Sequence, residues 1–422
     1  MHLTRHLQSP GFTTALALAG LLASAAAAGE QAGHEEPPLP VDTTLTLAGA
    51  LQTTVANYPA RFELEAQEAE AQAWRARGGS LVAGQPSFSY RYQTDRWQDD
   101  AGLEELEAGI ELPLWRWGER RATRQVGAGL SAEAVAADRA LRWRLAGRLR
   151  SLLWQMELAA NEEALAAERL ELAAERAALV RRRYELGDVP LADTLLADAA
   201  RSEAETVLVE AEAARIESER EWQMLTTLER RPPVPVEEQS ERTGIDPAHP
   251  ALQLAAAAVR RAEAEYGRSE KSARGSPTLF IGPRRERPAA GQSFDDSIGI
   301  MVSIPFGGSS HAKTAVAAAG REVAAARSAR GQIERDLRLQ LHEAEHSLAV
   351  TRRNVAAAEE RVRLTRRSRE MAELAYEKGE FDLQDLLRIA ESALSARREL
   401  ARLSIAEHRA IASYNQAVGV LP

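Results

Sequence analysis

Cysteine is absent from the 422 residues. That excludes disulfide scaffolds, Cys-ligated zinc, iron–sulfur clusters, thiol catalysis and a lipidated N-terminal Cys. Aromatic residues are only 5% of the chain, too few bulky anchors for a thick layered core. Past the N-terminal leader no stretch approaches the ~20 consecutive apolar residues of a transmembrane helix. Excess positive charge is also missing: 53 Lys and Arg stand against 62 Asp and Glu, a net −9. This balance argues against nucleic acid as a partner, because phosphate affinity needs a cationic face. No Gly-rich phosphate loop, ATPase signature or nucleophile motif stands out, so neither an enzyme nor a cofactor is expected.

What is present is Ala, Glu, Arg and Leu, the composition of long helices and coiled coils. Residues 1–28 read as a secretory signal: Arg5 in a basic region, an apolar stretch from Phe12 to Leu22, and Ala26-Ala27-Ala28 before Gly29. An exported chain with no spanning helix either stays soluble or crosses a membrane as strands.

The mature chain repeats itself. Asn57-Tyr58-Pro59 matches Ala248-His249-Pro250 at an offset of 191 residues. Leu112-Pro113-Leu114 matches Ile304-Pro305-Phe306, and Tyr184-Glu185-Leu186-Gly187 matches Tyr376-Glu377-Lys378-Gly379, both at 192. Trp222 matches Tyr414 at 192 as well. A constant offset across separated landmarks points to a duplicated unit. The expected order is an N-terminal extension over 29–44, a first repeat over 45–229, a Pro-rich linker over 230–246 and a second repeat over 247–422.

Each repeat reads helix, two strands, long helix, shorter helix. In the first, Leu145, Leu149, Leu152, Met156, Ala159, Ala166, Leu170, Ala173, Ala177, Val180 and Tyr184 follow alternating steps of four and three, with Glu163 as the one break. That is the 3.5-residue period of a left-handed coiled-coil seam. Leu341, Ala344, Leu348, Val355, Ala358 and Val362 form a seam of the same period in the second. Helices are expected over 45–79, 119–186 and 190–228, then over 310–378 and 382–418. A 68-residue helix spans about 100 Å, and 45–79 and 190–228 laid end to end, 74 residues together, span about 110 Å. Two shorter helices can therefore flank one long one.

Strands are expected over about 81–94, 103–115, 276–285 and 294–306. Phe88, Tyr90 and Tyr92 alternate with Ser87, Ser89 and Arg91. Leu106, Ala108, Ile110, Leu112 and Leu114 alternate with Glu105, Glu107, Gly109 and Glu111. Ile298, Ile300, Val302, Ile304 and Phe306 form a third alternating set. The segment from Thr278 to Gly282 is the least clear. Alternation alone fits a half-buried sheet on a helical layer. The secretion signal, with Trp115, Trp117 and Phe306 at strand ends like an interfacial girdle, favours strands in lipid. Four strands do not close a barrel, since about eight are the fewest that do, so spanning a membrane would require several chains to share one.

Taken together, the duplication, the two strand pairs, the exits Pro113-Leu114-Trp115 and Pro305-Phe306-Gly307, and the two Gly-centred helix turns resemble the TolC-like outer-membrane efflux family, from about Leu45 to Leu421. Its cation-efflux (CzcC-like) branch is the nearest pattern, which implies heavy-metal cations as cargo. The resemblance implies a mainly α fold with a small β part: a helical tunnel, and four strands per chain in a shared 12-stranded barrel of a homotrimer. It implies an outer-membrane location, a passive role as the exit duct of a tripartite pump, a periplasmic adaptor (membrane fusion) protein and an inner-membrane pump of RND type as partners. Many relatives carry a lipidated Cys and a C-terminal belt, and neither feature is present here. By motif match, Tyr184, Gly187, Tyr376 and Gly379 would form the adaptor-contacting tip. Asp193 and Asp385, each six residues past its glycine, would supply the channel constriction, where rings of carboxylate favour cations. A second acidic position of the family is Arg388 here. A protein-secretion duct and a pore-free periplasmic coiled-coil scaffold are the alternatives.

His342-Glu343-Ala344-Glu345-His346 fits the H-E-x-x-H zinc motif, and the two His share a helical face. They fall midway along a charged coiled-coil helix without a third ligand in view, so an ordinary helix surface is expected.

Overall fold

The computed structural model describes residues 37–306, 309–378, 380–381 and 383–422. The signal segment 1–28, and the first part of the N-terminal extension, lie outside the described residues. Seven helices and four strands follow in order: α1 (Leu47–Asn57), α2 (Ala60–Gly79), β1 (Ser87–Thr94), β2 (Glu104–Pro113), α3 (Glu119–Glu185), α4 (Leu191–Thr226), α5 (Pro250–Ser272), β3 (Thr278–Arg287), β4 (Asp295–Ser303), α6 (Ser309–Glu377) and α7 (Leu383–Ala417). The order helix, two strands, long helix, shorter helix occurs twice, as α2 to α4 and as α5 to α7.

The single helix expected over 45–79 is two. Pro59 lacks the amide that would continue α1, and its ring keeps the preceding residue out of the helical region. Tyr58 accordingly sits at ψ 134°, extended. At the other end of α1 the Thr46 hydroxyl accepts the Gly49 amide at 3.0 Å and caps the helix. The second repeat has Pro250 as the first residue of α5, with the His249 ring accepting the Ala251 amide at 3.2 Å.

Long helix α3 has α2 and α4 beside it on one flank and α5 and α7 on the other, and α6 packs on α5 and α7. Its seam follows the 3.5-residue period. Leu145, Leu149, Leu152, Met156, Ala166 and Ala177 are buried. The one polar break, Glu163, meets Arg215 of α4 at 2.7 Å, and Glu219 closes on the same guanidinium at 2.9 Å. The charge is thus answered within the seam, which a buried guanidinium requires.

Leu39, Leu47, Leu51, Leu145, Leu149 and Trp222 anchor one core; Leu341, Leu348, Ile411, Tyr414 and Val418 anchor another. Trp222 and Tyr414, the matched aromatics, each hold a carbonyl of the linker. The Trp222 indole donates to Arg230 O at 3.2 Å and the Tyr414 hydroxyl to Arg242 O at 2.5 Å. Residues 38–44 run beside the start of that linker, with Val41 bridged to Arg231 in parallel and Leu39 donating its amide to Glu219 at 3.1 Å.

The linker crosses α3 at Arg150, whose side chain is 4% exposed. Its guanidinium grips both oxygens of Glu237 at 2.6 and 3.1 Å and also donates to Gln416 Oε1 and Val420 O. Asn415 holds the same carboxylate and donates to Glu238 O. Removing one partner of a buried, fully bonded pair leaves the other charge uncompensated, at a cost of about 3 kcal/mol or more. Arg150→Ala should therefore lower the unfolding free energy, read from denaturant titration of the far-ultraviolet helical signal, by about that amount, and Glu237→Gln by less, since the amide retains an acceptor.

His249 is fully buried between Trp143, whose ring meets it edge-on at 4.8 Å, and Gly419. Burial, with Arg242 adding to it, lowers its pKa from 6.5 to about 4. The unfolded chain then binds a proton that the folded chain refuses. Stability is full above pH 6.5 and falls as pH drops toward 4, by about 3 kcal/mol in all. Replacing His249 by Asn, which can still cap α5, should flatten this acid limb in pH-dependent unfolding.

Candidate functional site

The four strands form one antiparallel sheet in the order β1-β2-β3-β4. Their register sorts the side chains by face, because directly paired residues point the same way. One face carries Phe88, Ile110, Ile281 and Ile300 in a row across all four strands, with Leu112, Leu279 and Val302 in a neighbouring row. The other carries Arg91, Glu107, Arg284 and Ser297, and then Gln93, Glu105, Glu286 and Asp295. Arg284 bridges Glu105 and Glu286 at 3.1 and 2.6 Å. The apolar face is bare: Phe88 is 73% exposed and Ile298 76%. Strands of 8 to 10 residues have the length a tilted membrane strand needs. The outer edges of β1 and β4 have no strand partner among the described residues.

The expected strand that was least clear in sequence is β3, and the structure extends it to Arg287. Leu279, Phe280 and Ile281 interrupt the alternation, because Phe280 belongs to the polar face yet is buried. Its ring lies against Gly109, where an added Cβ would come within 2.5 Å of it. Gly282 is equally committed, since a Cβ there would sit 2.0 Å from Ala108 O. Register pairing lapses at Ala108, Gly109, Gly282 and Pro283, as expected where Pro offers no amide. Sequence reasoning took Gly109 for one more polar alternation position and missed this patch. Its one signal was that Gly109, Gly282 and Gly299 share a level.

The strand-end aromatics divide. Trp117 is fully exposed and Phe306 is 97% exposed. Trp115 is half-buried, its indole donating to Ser80 O at 3.1 Å. Trp97, in the β1–β2 connection, is exposed as well.

At the far end of the long helices the α3–α4 turn is a Schellman close. Gly187 has φ +83°, its amide donates to Tyr184 O, and Asp188 N reaches Arg183 O, both at 2.9 Å. In the α6–α7 turn Glu380 N donates to Ala375 O at 2.8 Å. Gly379 lies outside the described residues. Tyr376 closes α6 in sequence, and Tyr184 and Leu186 are exposed at the α3–α4 turn. Asp193 and Asp385 each occupy the first turn of a returning helix, α4 and α7, and are exposed. The Arg388 guanidinium lies 3.4 Å from the Asp385 carboxylate. His342 and His346 are exposed on α6, and among the described residues no cluster of three His, Asp or Glu could hold a metal ion. No helix among the described residues is long and apolar enough to cross a membrane.

Since the open space around Gly187 holds no atom within 4 Å, substitution there tests backbone strain alone. Gly187→Val should destabilise the turn by about 1 to 2 kcal/mol and Gly187→Asn by less, readable as loss of amide-exchange protection confined to residues 180–195.

No protein-family model matches the chain and no curated protein matches it. Solved structures do. The chain is similar to the Campylobacter jejuni CmeC outer membrane channel, with 17% identity and a TM-score of 0.67 over 88% of this chain and 85% of that one. It is similar to the Vibrio cholerae outer membrane protein VceC, with 15% identity and a TM-score of 0.68 over 88% and 96%. The outer-membrane channel OprN gives 17% identity and 0.69 over 90% and 94%. The fold of this chain is that of the TolC-like outer-membrane channels.

Proposed function

We propose that this chain is the protomer of a trimeric outer-membrane duct, the passive exit of a tripartite efflux pump. The observation that carries this is the bare apolar sheet with two open edges. In lipid an unpaired edge leaves backbone groups with no water to bond, so a spanning sheet must close. Three copies bring twelve strands, pairing each β4 with the β1 of the next chain. The helical layer has the matching need. Leu339, Val350, Leu364 and Met371 form a second apolar row on α6 that nothing among the described residues covers, and Leu195, Leu196 and Val209 are exposed on α4 at the opposite margin. The similarity in fold to outer-membrane channels supports the same role.

The duplication proposed from the sequence fits the twice-occurring element order, and residues 1–28 are proposed to direct export. The turns at Tyr184–Gly187 and Tyr376–Gly379 are proposed to meet a periplasmic adaptor, itself bound to an inner-membrane pump of RND type. Trp115, Trp117 and Phe306 are proposed to mark the membrane interface. Heavy-metal cations are the proposed cargo, on the resemblance to the cation-efflux branch alone. Asp193 and Asp385 are proposed to ring the constriction, and Arg388 then offsets the Asp385 field. Reconstituted in planar bilayers, Asp385→Ala should raise low-voltage conductance severalfold and reduce cation over anion permeability, whereas Arg388→Ala should increase that selectivity. Identical currents in all three proteins would sink the gate, and a water-soluble monomer lacking heat-modifiable migration would sink the duct.

A further inference from the structure

The helix ends that adjoin the sheet carry a charge the rest of the chain does not. Segments 74–80, 115–124, 266–275 and 304–314 together hold ten Lys or Arg against two carboxylates, Glu119 and Glu270, in a protein whose net charge is −9. Elsewhere the helical arginines are repeatedly ion-paired, as in Arg181–Asp198, Arg327–Glu263 and Arg352–Glu407. Of these ten, only Arg75 makes an ion pair among the described residues, with Glu68 at 3.3 Å. Arg120 and Arg124 donate to the Gly78 and Gly79 carbonyls, and Arg77 and Arg268 lie over the Trp74 ring. These contacts do not neutralise charge, so like charges gathered at one level would be stabilised by anions from outside.

Three of the ten converge on one place. Between the end of α5, the exit of β4 and the first turns of α6 lies an open groove of about 1030 Å³. Arg116, Arg274 and Lys313 line it, with Glu270 as the one carboxylate. Glu270 is engaged by the Tyr266 hydroxyl, whose pKa that carboxylate raises. Arg116 donates through one nitrogen to Pro305 O at 3.2 Å, while its buried Nε has no partner.

The groove also has a defined side. Its apolar wall includes Ile304 and Phe306, which continue the exposed column Ile298, Ile300 and Val302 beyond the end of β4. It therefore opens on the apolar face of the sheet, away from the Arg91, Glu107 and Arg284 row. An apolar column ending in an exposed aromatic, followed at once by cations, follows the profile of a lipid monolayer from acyl chain to headgroup.

We propose that this groove seats the headgroup phosphate of an anionic phospholipid, with its acyl chain along Ile304 and the β4 column, and that the surrounding cationic collar fixes the depth of the sheet in the periplasmic leaflet. The proposal rests on the reading of the sheet as membrane-spanning. The groove lies between α5 and α6 within one chain, so each copy carries its own site.

The test compares the detergent-solubilised full chain with its Arg116→Gln, Arg274→Gln, Lys313→Gln triple variant by native mass spectrometry. Each is titrated with phosphatidylglycerol and with phosphatidylcholine of the same chains. Wild type should retain phosphatidylglycerol roughly tenfold more tightly, a preference of about 1.4 kcal/mol. The variant should hold both lipids alike while inserting into phosphatidylcholine vesicles and giving the same circular dichroism as wild type. Equal retention of the two lipids by wild type would overturn the proposal. So would an unchanged preference in the variant, or displacement of phosphatidylglycerol by millimolar inorganic phosphate, which would make the site one for free anions. Loss of binding to an acidic periplasmic protein with lipid retention intact would overturn it too, as a protein contact. Failure of wild type to insert into phosphatidylcholine vesicles would instead refute the membrane reading itself.

Discussion

Two of the four strands present an outer row of backbone amides and carbonyls that meets no other strand among the described residues. Water can satisfy such a row, and a hydrocarbon phase cannot. One face of the same sheet offers side chains suited to hydrocarbon. Taken singly, the chain is thus at odds with itself: the side chains ask for lipid and the edges forbid it. On the proposed membrane reading, closure with further copies resolves the contradiction, and the other features are legible as accommodations to that closure. The uncovered row on α6 and the exposed leucines on α4 sit at the margins where copies would meet.

The helical layer solves a different problem, that of holding two helices of 67 and 69 residues with small side chains. Alanine lets backbones approach, and the 3.5-residue period keeps the contact in register over the whole length. Where the period breaks, at Glu163, the break is met from across the seam by Arg215. Together with Arg148–Glu221, Arg169–Glu203 and Arg181–Asp198, which join the same two helices, this pair removes the degeneracy that a uniform Ala and Leu seam would have, because a slip of one heptad would break every cross-helix pair and leave Glu163 unanswered.

Much of this was readable from the chain alone. The ends of α3 and α6 fall within a residue or so of where Glu119, Gly187 and Gly379 put them, since periodicity and Gly stops act locally. The pairing of β1 with β2 follows from alternation. What escaped was set by contacts distant in sequence. The break at Pro59 was visible as a proline, yet the apolar pattern carried across it and suggested one helix. β3 was obscured because Phe280 sits on the polar face for the sake of Gly109, a residue on another strand. Trp115 looked like its neighbour Trp117, and only the Ser80 carbonyl separates them. The cationic helix ends were dispersed over four segments that the fold alone brings to one level.

Arg150 joins three parts of the chain that lie far apart in sequence: the linker through Glu237, the end of α7 through Gln416, and the carboxy-terminal stretch through Val420. Such a knot resists translation, since sliding α3 along α7 by even one turn would break every bond in it at once. Rotation about the knot costs far less. Whatever displacement the distant turns undergo relative to each other is then a swing about this point, largest at Gly187 and vanishing here, with the long helices acting as levers.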